Sequence, residues 1–130
     1  MAKILVADDE PEVRVFLVNI LEAAGHETEE AFDGINALDM VVEFRPDVLL
    51  LDWMIPELYG GEVLQKLRND PEYIEFRNLR VIVVSDFRDE KSLHDFRAAG
   101  ADELVSKVDD REAMKGYLLP RINKLLGIDG

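Results

Sequence analysis

Residues 48–60 read VLLLDWMIPELYG, four consecutive apolar residues running into an acid, Asp52, and then into Trp53 and Pro56. Unbroken apolar character over a short run marks a strand buried on both faces, as in a parallel sheet, and not the alternation of a half-exposed strand. A single aspartate at its end could mark the exit from the core. Its meaning depends on what other strands bring to the same edge.

Working outward, short apolar runs alternate with stretches of helical period. KILVA (3–7) reads as a buried strand that stops at Asp8 and Asp9, and Pro11 suits a first helical position. Val13, Phe16, Leu17, Ile20, Leu21 and Ala24 then follow at helical spacing up to Gly25. ETEEA (27–31) is a polar strand fit for a sheet edge, followed by a turn at Asp33-Gly34 and a helix from about Ile35 to Phe44. DVLLL (47–51), RVIVV (80–84) and ELVS (103–106) are further strands, with helices at 61–68, 90–100 and about 110–126. Pro120 predicts a kink in the last helix, whose face is Met114, Leu118, Ile122 and Leu126. The long connection 69–79 has room for one more helical turn. Five βα units predict an α/β fold, a doubly wound five-stranded parallel sheet in the flavodoxin-like order 2-1-3-4-5 with helices on both faces. Ligands of such sheets bind beyond the carboxyl ends of the strands, where the winding reverses between strands 1 and 3.

Composition narrows the function. The 130 residues fit one domain, 1–130, with 48% hydrophobic and 33% charged residues and no linker-like tract. No apolar run approaches the ~20 residues of a membrane span, so no membrane partner is expected and a cytoplasmic location is. Absence of cysteine excludes thiol catalysis and thiolate metal sites. A net charge of -13 opposes direct nucleic-acid binding by this chain. His26 and His94 are expected at the surface, without metal-ligand neighbours.

The strand ends supply the chemistry. Strand 1 ends on Asp8 and Asp9, strand 3 on Asp52, strand 4 on Ser85, and Lys107 follows strand 5. Singly, each has a plain structural reading as a helix-start acid, a polar exit or a solvated lysine. Together, three carboxylates at one corner repel one another unless a cation sits among them. Oxygen-only ligands suit Mg²⁺, which keeps waters and also coordinates phosphate oxygens. Lys107 then suits an anion, Asp52 becomes a nucleophile toward phosphorus, and Ser85 a hydrogen-bond donor to a phosphoryl oxygen.

With these residues in place, the sequence resembles the receiver domains of two-component response regulators over residues 3–126. ILVADDE (4–10), AFDGINAL (31–38), LLLDWMIPELYGGEVLQKLR (49–68), VIVVSD (81–86) and AAGADELVSK (98–107) carry the resemblance. It implies Asp9 and Asp52 as Mg²⁺ ligands, Asp8 as holder of metal waters and the Met54 carbonyl as a further ligand. It also implies Asp52 as acceptor of a phosphoryl group from a histidine kinase or histidine phosphotransfer protein. A phosphorylation-dependent dimer is compatible with it.

Three positions depart from the family pattern. Asp86 stands where a small residue is usual after the hydroxyl; facing a phosphoryl group at ~7 Å it would repel by about 2 kcal/mol before screening. Leu104 stands where the family has an aromatic switch residue, so signalling is expected to act through segment 86–91, with Phe87, instead of through an aromatic flip. Val108 replaces a proline in a cis peptide, and cis before a non-proline costs about 2.5–4 kcal/mol. Trp53 is expected to be a half-buried aromatic beside the acceptor. The rival reading is a pseudo-receiver, an interaction module with the fold but without the chemistry. An aspartate-nucleophile phosphatase is disfavoured, since Met54 stands where its second acid would be.

Overall fold

The computed structural model describes the backbone of residues 1–86, 90–107 and 110–128 and, among these, all side chains except those of 90–93. Phe87 and Val108 lie outside the described residues.

The strands are β1 (Lys3–Ala7), β2 (Glu27–Ala31), β3 (Val48–Asp52), β4 (Arg80–Ser85) and β5 (Glu103–Ser106). They form one sheet in the order β2-β1-β3-β4-β5 with every pairing parallel. The helices are α1 (Pro11–Ala23), α2 (Gly34–Phe44), α3 (Gly60–Asn69), α4 (Glu90–Ala98) and α5 (Arg111–Leu126). The doubly wound fold expected from the sequence is the fold observed.

Side-chain alternation divides the core in two. Ile4, Val6, Val48, Leu50, Ile82, Val84 and Val105 pack with Leu17 and Leu21 of α1 and Met114, Leu118 and Ile122 of α5. Leu5, Ala7, Leu49, Leu51, Val81, Val83 and Leu104 face α2, α3 and α4. Both faces of the central strands are thus apolar, which is why their sequences do not alternate. The edge strand β2 buries only Ala31 fully and carries exposed Glu27, Glu29 and Glu30.

Local details refine the sequence reading, and two of its expectations, at Gly34 and His26, are corrected. Gly34 is the first residue of α2 and not a turn residue; Asp33 caps the helix through Asn36 N–H. Gly34 is needed for contact, because a Cβ there would overlap the Leu58 backbone carbonyl. Residues 71–76 form the extra helical turn, of 3₁₀ type, N-capped by Asp70. Helix α5 continues through Pro120, which lies exposed and has no N–H to give the Gly116 carbonyl, and the Arg121 guanidinium donates to the neighbouring Tyr117 carbonyl at 2.8 Å. His94 is exposed, but His26 is half-buried and its Nδ1 accepts a hydrogen bond from Ala2 N–H.

Candidate functional site

Register brings the strand ends together. Ala7 pairs with Leu51, so the next residues, Asp8 and Asp52, stand side by side. Ser85 pairs with Ser106 at the end of β4 and β5, and Lys107 N–H extends that pairing to the Ser85 carbonyl at 2.8 Å. Asp8, Asp52 and Lys107 share the parity of Val6, Leu50 and Val105, on the α1 and α5 side of the sheet. Ser85 has the parity of Val81 and Val83, on the other side.

The Lys107 ammonium lies 3.0 Å from Asp8 Oδ2, 3.3 Å from Asp52 Oδ2 and 3.3 Å from Glu10 Oε1. Asp8 is 1% exposed and Asp52 5%, so both carboxylates have given up most of their water. Asp52 Oδ1 accepts the Met54 N–H at 3.2 Å and Asp8 Oδ1 accepts the Glu10 N–H at 2.9 Å. Asp8 Oδ2 is buried and accepts no hydrogen bond; its contact with Lys107 is an ion pair outside hydrogen-bond geometry.

Burial raises the Asp52 carboxyl, the Asp8 charge raises it further, and Lys107 offsets only part, leaving it at about 6. Burial also raises Asp8 against the pull of the Glu10 amide and Lys107. Burial disfavours charge on Lys107, but Asp8, Asp52 and Glu10 outweigh it and hold the ammonium above its ordinary value. One ammonium is thus shared among several carboxylates and cannot neutralise them all.

The donor set fits a hard divalent cation. One carboxylate oxygen from each of Asp8, Asp9, Glu10 and Asp52 lies within 4.8 Å of those of the other three, and Asp8 also carries a buried oxygen, Oδ2, that accepts no hydrogen bond. The cleft over this corner is lined by Asp9, Asp52, Met54, Ser85, Asp86 and Lys107 among others. Asp86 is exposed at its rim. Leu104 is buried in the core cluster that also holds Phe96 and therefore sits away from solvent. Trp53 is half-buried, its ring 4.5 Å from that of Phe96 on α4 and tilted by 54°.

Of the residues expected at this edge from the sequence, Asp9, Asp52, Met54, Ser85 and Lys107 line the cleft, and Asp8 is buried against Lys107. Sequence reasoning missed Glu10 as a partner of Lys107 and Arg14, whose guanidinium donates to the Asp8 carbonyl at 2.7 Å. Arg14 stands one helical turn after Glu10, a spacing that could have suggested a return to the acidic corner.

The chain matches the response regulator receiver domain family over residues 4–118 and belongs to it. It is 33% identical over 120 residues to the sporulation initiation phosphotransferase F of Bacillus subtilis, covering 89% of this chain and 93% of that protein. It is 32% identical over 126 residues to the DNA-binding dual master transcriptional regulator RpaA of Synechocystis, covering 97% of this chain but 49% of the relative. The chain therefore spans about half the length of RpaA. The receiver domain of the Francisella response regulator 1452 superposes with a TM-score of 0.84 at 30% identity, covering 98% of each chain. Receiver domains are signalling switches and not enzymes in the ordinary sense.

Proposed function

We propose that residues 1–130 form one receiver domain in which Asp52 accepts a phosphoryl group from a phosphohistidine of a histidine kinase or phosphotransfer protein. The observation that carries this reading is the Asp52 carboxylate, buried beside Asp8 and 3.3 Å from Lys107 at the end of the central strand. An oxygen of Asp52 attacks phosphorus; an O–P bond forms, the P–N bond to the donor imidazole breaks, and the leaving imidazole keeps the electron pair. Lys107 is the cation for a phosphoryl oxygen, and Ser85 is its hydroxyl donor. Asp9, Asp52 and the Met54 carbonyl would hold Mg²⁺, with Asp8 binding its waters. Bound there, the ion would neutralise charge on the carboxylates and the phosphoryl oxygens. A cytoplasmic location belongs to this reading because the phosphoryl donors of such receivers act there; among the described residues no helix is long and apolar enough to cross a membrane. RpaA is named for DNA binding, but the -13 charge of this chain argues that nucleic acid is not its own ligand.

Phosphoramidate with Mg²⁺ tests the reading, with intact mass as the readout. The wild type gains one phosphoryl group and Asp52→Asn gains none. No gain in either would support the interaction-module reading instead.

A further inference from the structure

The acidic corner needs more than its acids. Asp8 occupies the turn from β1 into α1, and the peptide that joins it to Asp9 sets where the Asp9 carboxylate stands. The Asp8 N–H is tied to the Ala31 carbonyl at 3.0 Å and its side chain to the Glu10 N–H. The remaining handle is the Asp8 carbonyl oxygen, and Arg14 Nη1 holds it at 2.7 Å. The same guanidinium reaches across to β2, where Nε meets Glu30 Oε1 at 3.2 Å, and the side chain is only 18% exposed. Its planar fork suits two fixed acceptors at once, which a single ammonium does not. This also gives a use to an acid on the edge strand that is otherwise only a solvated face.

We infer that Arg14 is a positioning residue for the cation site: anchored by Glu30, it fixes the Asp8–Asp9 peptide and so aims the Asp9 carboxylate at the cation. The inference rests on the reading of the acidic corner as that site. Charge alone makes the opposite prediction. A guanidinium beside a cation site repels the cation, so removing it should tighten binding if position does not matter.

Mn²⁺ binding to the full chain, measured from the resonance signal of free Mn²⁺, separates the two. Positioning predicts that Arg14→Ala weakens Mn²⁺ binding about tenfold, as loss of an orienting partner around a metal ligand does. Arg14→Lys keeps the charge and one donor, and its affinity falls between the two. Unchanged or tighter binding in Arg14→Ala, or wild-type binding in Arg14→Lys, would overturn the inference. Thermal melting in chelator checks that the variants fold; if Arg14→Ala does not, Arg14→Lys alone decides. A wild type that binds no Mn²⁺ overturns the reading of the corner itself, and the inference with it, and so is distinct from a failure of Arg14 alone.

Discussion

Lys107 Nζ lies 3.3 Å from Asp52 Oδ2, joining the end of β5 to the end of β3 across the intervening strand β4. The pair is nearly dry, with the Lys107 side chain 19% exposed and that of Asp52 6%. Removing the lysine leaves Asp8 and Asp52 buried with no cation beside them, whereas Lys107 without Asp52 still has Asp8 and Glu10. Lys107→Ala should therefore destabilise the chain by about 3 kcal/mol at pH 7. Urea unfolding in chelator measures it, and a loss near zero would mean that Asp8 and Asp52 find other relief.

The Asp52 carboxyl, raised from 3.8 to about 6, makes stability depend on pH with a definite sign. Between those values the native state keeps a proton that the unfolded chain has released, so stability falls as pH rises through that window. Asp8 is shifted in the same direction. Lys107 stays protonated throughout and contributes no slope there. Relative to wild type, Asp52→Asn should gain up to about 3 kcal/mol at pH 7 without metal, and nothing below pH 4. Chemical unfolding of both proteins at the two pH values tests this.

Divalent cation should reverse the same penalty. Mg²⁺ at about 100 times its dissociation constant is expected to add about 2.7 kcal/mol at pH 7. Below pH 4, where Asp52 is protonated, melting should be far less sensitive to it.

Gly34 carries a packing constraint that its sequence neighbourhood misrepresents. Its N–H donates to the Pro56 carbonyl at 2.9 Å, and the Leu58 backbone occupies the space of a side chain. Gly34→Ala is expected to cost about 3 kcal/mol, read from the urea midpoint, because backbone must move to relieve it. Gly116→Ala, where nothing lies within 4 Å of the added carbon, should be neutral or stabilising.

The ring contact between Trp53 and Phe96 connects the residue after Asp52 to α4. Phe96→Leu should alter Trp53 emission without unfolding the chain, since Trp53 is the single tryptophan. An unchanged spectrum would show that the two rings do not sense each other.

The contrast between these sites shows what a sequence exposes. The strands were legible because VLLL and VIVV are buried on both faces, and strand ends follow directly from where such runs meet Asp52 or Ser85. Pro11 and Gly25 marked α1 because their backbone preferences are local. Contacts between distant segments left no such trace: Arg14 with Glu30, Trp53 with Phe96 and Gly34 with Leu58 depend on how separate loops meet. Glu10 looked like one more helix-start acid, although its carboxylate reaches Lys107. His26 carries nothing in its neighbourhood that announces its bond to Ala2.

The central claim is that Asp52 is the phosphoacceptor. Its most direct test is peptide mapping of the wild-type chain after brief exposure to acetyl phosphate, with and without Mg²⁺. The account predicts one phosphoryl group, found only with Mg²⁺ and only on the peptide containing Asp52. No modification, or a phosphoryl group on any other residue, would contradict it.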